Sequence, residues 1–105
     1  MTDIDTQREV VVACAPGTGR GTWAMGSLFE HLAGPEQTAG SLGVALVTQP
    51  PGIATPVHRH HHEAEALFLL DGEVTYLAGE ETYELAAGWF MYLPKGVLHA
   101  FRIRG

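Results

Sequence analysis

The chain is 105 residues long, enough for one domain with a modest pocketed core and too short for a second. Twelve acidic residues against six basic ones give a formal charge of −6, and the basic residues are scattered, which argues against a nucleic-acid partner. No window approaches the roughly 20 apolar residues of a membrane span, and a single cysteine excludes an internal disulfide.

The opening "MTDIDTQREVVV" begins with acids instead of a basic region followed by an apolar core, so it does not read as a secretory signal and the expected location is cytoplasmic. Cys14 has no basic neighbour in sequence and is expected to be a small buried hydrophobe. "APGTGRGT" is a loop: it lacks the Lys-Ser/Thr pair of a phosphate loop, and Gly17-x-Gly19-x-x-Thr22 misses the last glycine of a dinucleotide fingerprint. "WAMGSLFEHL" fits either a strand turning into a helical turn or an edge segment. Its His31 is expected to be solvated or hydrogen-bonded for structural reasons.

From residue 41 the pattern has period two. "SLGVALVTQ" alternates Leu42, Val44, Leu46 and Thr48 against smaller residues until "PPG" breaks it. "EALFLLDGEVTYLAG" reads as a β-hairpin, with Asp71-Gly72 supplying the two positive-φ positions of a type I′ turn. Strands follow at Thr82 to Leu85, Trp89 to Leu93 and Leu98 to Arg104, separated by Gly/Pro turns. About nine short strands at this spacing predict an all-β sandwich, jelly roll or barrel.

The chemistry concentrates in "HRHHHEAE", residues 58–65. In an extended segment His58 and His60 project to one face, while Arg59 and His61 point away. The next donor is Glu63 or Glu65. Glu65 shares its face with Leu67 and Leu69, and burying a lone carboxylate there costs several kcal/mol unless a partner is present, so Glu65 has the better claim and Glu63 reads as a solvated loop charge. His99 repeats the pattern, opening the last strand with Phe101 and Ile103 on its own face. A surface scavenging role for the histidine run would leave Glu65 and His99 unexplained.

Gly52-x5-His58-x-His60-x4-Glu65-x6-Gly72, followed by Gly88-x5-Pro94-x-Gly96-x2-His99, resembles the two signature motifs of the cupin superfamily position for position. The fifteen residues between Gly72 and Gly88 resemble the short spacing of compact bacterial cupins. The resemblance implies one cupin domain over residues 1–105, with N-terminal strands and loops to residue 40 and a jelly roll, or double-stranded β-helix barrel, over residues 41–105. It further implies that His58, His60, Glu65 and His99 bind one divalent transition metal, which could be Fe, Mn, Ni, Co, Cu or Zn. Where the second motif usually carries Asn this chain has Ile103, and cupins usually continue for two or three strands beyond the point where this sequence stops. The sequence reading therefore has the barrel completed by N-terminal strands or by a partner subunit, unless it is a piece of a longer chain, and expects a homodimer.

Three neutral imidazoles and one carboxylate leave open positions on an octahedral ion for water or a small-molecule substrate. Met25, Leu67, Tyr76, Phe90, Tyr92 and Phe101 are expected to surround the mouth of the pocket as shape and desolvation. By analogy with quercetin dioxygenase-like cupins, Glu65 is expected to act also as general base. These expectations describe a metal-dependent oxidoreductase, a dioxygenase acting on an aromatic or enolisable molecule. A metal-dependent isomerase or cyclase, or a cupin that binds a small molecule without catalysis, are the alternatives.

Overall fold

The computed structural model describes residues 9–105; the first eight of the twelve opening residues read above as no secretory signal lie outside them. The described chain forms two compact units, one ending at Gln49 and one spanning Pro50–Gly105. Eight strands and one four-residue helical turn, α1 (Pro35–Thr38), make it all-β, as expected. Among the described residues no helix is long and apolar enough to cross a membrane.

The first unit is an antiparallel sheet of β1 (Arg20–Ala24), β2 (Ser27–Ala33) and β3 (Val44–Thr48), in that order. The ambiguous segment "WAMGSLFEHL" is therefore the end of one strand, a turn and most of the next. Met25 (φ 50°) and Gly26 (φ 79°) form its two-residue turn, with the paired positive φ of type I′. His31 bonds Thr22 across the sheet, Nε2 to Oγ1 at 3.1 Å, the structural role expected of it. Cys14 departs from expectation: it is exposed, its sulfur 3.5 Å from the Thr18 hydroxyl.

The second unit packs two sheets around one core. β4 (Glu65–Phe68) pairs with β7 (Phe90–Leu93), and β6 (Glu81–Ala86), β5 (Glu73–Ala78) and β8 (His99–Ile103) form the other sheet in that order. Residues directly opposite in an antiparallel pair share a face. Leu67 and Met91, and Leu85 and Val74, are such pairs, and Ile103 joins the second row across β8. These inward rows meet in a cluster of Val74, Tyr76, Leu85, Met91, Leu93 and Ile103, flanked by Leu67, Leu69 and Phe101.

The expected Asp71-Gly72 hairpin is not formed. β4 and β5 belong to different sheets, and of the two turn residues only Gly72 has positive φ, at 90°. The turn instead carries the chain from one sheet to the other. Its glycine is required by a close approach, because a Cβ there would collide with the Gly105 carbonyl oxygen, which accepts the Glu73 N–H at 2.8 Å.

Candidate metal centre

β8 sets the position of the first histidine. The segment before it runs antiparallel to β8: Gly52 N–H donates to Ile103 O, Thr55 N–H to Phe101 O, and His58 exchanges both backbone bonds with His99, at 2.9 and 2.8 Å. The second histidine is held by the turn ahead of β8. Gly96 N–H donates to the His60 carbonyl at 2.7 Å, and Gly96 has φ 85°, a conformation that side-chain-bearing residues rarely adopt. Glu65 stands opposite Leu93, the last residue of β7. Leu93 to His99 is thus a spine against which all three donor-bearing segments are registered.

Two imidazoles are oriented the same way. Each folds back onto the carbonyl two residues earlier, His58 Nδ1 to Pro56 O at 2.8 Å and His99 Nδ1 to Val97 O at 3.1 Å. A carbonyl only accepts, so Nδ1 carries a proton, and in the neutral ring that a metal binds the lone pair is on Nε2. His60 faces a carboxylate on that side, with Nδ1 3.9 Å from Glu63 Oε1. These supporting contacts were not read from the sequence, and because the acceptors are backbone carbonyls of unlike residues, Pro56 and Val97, no residue pattern marks them.

The donors converge. Ligand atoms of His58, His60 and His99 all lie within 4.8 Å of one another, and the rings stand 4.3 Å (His58–His99), 5.4 Å (His58–His60) and 5.5 Å (His60–His99) apart. Glu65 Oε1 is 3.4 Å from His99 Nε2 and 3.9 Å from His60 Nε2. Imidazole nitrogens bound at about 2.1 Å to one ion lie roughly 3 to 4 Å apart, so these spacings fit a shared divalent ion, and the N/O donor set suits a transition metal. His99 is buried at 3% exposure, whereas the Glu65 side chain is 48% exposed, which leaves the centre open on the glutamate side. His61 and His62 are exposed, with their rings 6.4 Å from each other.

The six residues expected around the pocket fall into three groups. Leu67, Tyr76 and Phe101 lie on the inward rows, and the Tyr76 and Phe101 rings are 5.3 Å apart. Burial, with a smaller contribution from the Glu65 carboxylate, pushes the Tyr76 phenol well above its usual pKa. Phe90 and Tyr92 project from the opposite face of β7, away from Met91 and Leu93. They are 61% and 59% exposed and line, with Trp89 and Pro94, a surface cavity of about 440 Å³. Met25 sits at the β1–β2 turn, 87% exposed.

Paired β-sheets around one core, with three imidazoles converging at the start of the last strand, define a β-sandwich protein with a candidate metal centre. Residues 45–105 match the cupin domain model, and the chain belongs to the cupin family. It is similar to germin-like protein 9-3 of Oryza sativa subsp. japonica, 33% identical over 70 residues that make up 62% of this chain and 33% of that one. It is also similar to quercetin 2,3-dioxygenase of Bacillus subtilis, 29% identical over 93 residues, 89% of this chain and 23% of that one. The chain thus spans a third or less of these curated relatives. The cupin domain of Cnp3 from Schizosaccharomyces pombe shares the fold, with a TM-score of 0.75 at 19% identity over 91% of this chain and 66% of that one.

Proposed function

We propose that this cupin is a metal-dependent enzyme acting on a small molecule, a dioxygenase for an aromatic or enolisable substrate, with His58, His60, Glu65 and His99 as the metal ligands. The convergence of three imidazoles, two of them within 4 Å of Glu65, carries the reading. A divalent ion bound there would supply Lewis-acid polarisation of a phenolic or enolic oxygen and, where the metal is redox-active, chemistry with dioxygen.

The chain's own residues supply the rest. His58 and His99 are locked by their backbone carbonyls with Nε2 free, so neither ring must reorganise to bind. Glu65, the exposed member of the set, is the one able to swing away and accept a proton from an incoming enol or phenol at Oε1. Leu67, Phe101 and Met91 exclude water on the inner side. The resemblance to quercetin 2,3-dioxygenase supports the oxygen-dependent reading over the alternatives.

The test is elemental analysis of untagged protein, followed by oxygen uptake with flavonols and 1,3-diketones. Stoichiometric metal with substrate-dependent oxygen consumption is expected. Product formed without oxygen would replace the dioxygenase with an isomerase or cyclase, and binding without turnover would leave a binding protein. The working form is proposed to be a homodimer, with the outward aromatic face of β4 and β7 (Phe68, Phe90 and Tyr92, each about 60% exposed) covered by a second copy. Sedimentation as a monomer at micromolar concentration would refute that.

A further inference from the structure

Tyr76 is the polar member of the core cluster, 8% exposed. It stands opposite Phe101 across β5 and β8, on the same inward row as Ala78 and His99 and one inward position along from them. Buried phenols usually find a hydrogen-bond partner. Among the described residues the Tyr76 hydroxyl has none, yet no fully buried side-chain oxygen or nitrogen is left unpaired. The hydroxyl is therefore not completely sealed from solvent. The row sets Tyr76 one inward position from the Ala78–His99 pair, at the His99 end of the core, and the Glu65 carboxylate adds to the rise in the phenol's pKa.

We propose that the Tyr76 hydroxyl is the hydrogen-bond donor that orients an oxygen-bearing ligand at this centre, selecting enolate, phenolate or carboxylate oxygen over apolar groups. The inference rests on reading His58, His60, Glu65 and His99 as one metal site. Its geometry is simple: the ring is fixed by packing against Phe101, so only the hydroxyl torsion needs to adjust to the ligand. A donor on so rigid a ring adds direction to a metal–oxygen interaction that has little of its own.

The test uses zinc-loaded protein and 4-nitrocatechol, whose colour changes on binding. Tyr76→Phe removes one oxygen and keeps the ring. Zinc stoichiometry is expected to be unchanged and 4-nitrocatechol affinity to drop about tenfold, the usual effect of losing a hydrogen bond to a charged group. Equal affinity in the two proteins, with zinc bound to both, would overturn the role of Tyr76 and leave the metal site standing. Failure of the unaltered protein to take up zinc would overturn both. Should the variant not fold, the unaltered protein labelled with ¹³Cζ-tyrosine gives the answer. The chain has three tyrosines, and Tyr83→Phe and Tyr92→Phe identify the Tyr76 signal by subtraction. That signal should move with 4-nitrocatechol and stay put with nitrobenzene, which lacks the two hydroxyls. A signal unmoved by 4-nitrocatechol would refute the proposal.

Discussion

His58 and His99 face each other across two backbone hydrogen bonds of 2.9 and 2.8 Å, and their rings stand 4.3 Å apart on the same side of that bridge. A strand pairing thus brings together two donors forty-one positions apart in sequence. His58→Ala and His99→Ala should each lower zinc affinity at least about 100-fold, more than the loss of a residue that merely supports a ligand. His61→Ala and His62→Ala should leave it within about twofold, since both side chains are exposed. Competition titration against a chromogenic chelator measures all four, and an equal loss throughout would contradict the assignment.

Gly96 offers a second check, because it links the turn before β8 to the His60 carbonyl at 2.7 Å. Gly96 and Gly88 both have positive φ, 85° and 91°, and a Cβ at either would meet nothing within 4 Å. Alanine at either position should therefore cost about 1 to 2 kcal/mol of stability through backbone strain alone. Only Gly96→Ala should also weaken zinc binding, by about tenfold, because only it disturbs a ligand's backbone. Urea unfolding and zinc titration of the two variants separate strain from positioning, and parallel zinc losses would show that Gly96 has no special role.

The candidate centre was legible in sequence because each donor carries a local pattern. Two histidines at i and i+2 share a face wherever the chain is extended, and Glu65 and His99 each open a strand whose alternate residues are apolar. What sequence could not supply was pairing. Asp71-Gly72 has the composition of a tight hairpin, but β4 buries Leu67 against Met91 of β7, so the turn passes between sheets. The type I′ turn lies at Met25-Gly26, where methionine gives no signal. The same limit left the facing of Phe90 and Tyr92 open. Phe90-Met91-Tyr92-Leu93 is apolar on both faces, so alternation alone does not say which pair points inward; the register of Leu93 with Glu65 does.

Leu85, 1% exposed, is the most deeply buried large side chain and stands opposite Val74 in the core. Leu85→Ala should destabilise the protein by about 2 to 5 kcal/mol, from lost transfer free energy plus the cavity left behind. Zinc affinity of the fraction that stays folded should be unchanged, because Leu85 is not among the converging donors. Thermal unfolding with and without zinc is the measurement. A loss below about 1 kcal/mol would mean that the core collapses around the gap.

Tyr76 gives a pH dependence with a definite sign. Burial raises its pKa in the folded state, so above the ordinary tyrosine value of about 10 the unfolded chain loses a proton that the native protein keeps. The native state then binds more protons than the unfolded one, and stability must fall as pH rises. The contribution is intact below about pH 10 and is lost above it at about 1.4 kcal/mol per pH unit. Urea unfolding of metal-free protein between pH 8 and about 11.5, a range that crosses this threshold, should show the decline, and Tyr76→Phe should remove that part of it. Coinciding curves for the two proteins across the alkaline range would mean that the phenol ionises as freely in the folded protein as in the unfolded chain.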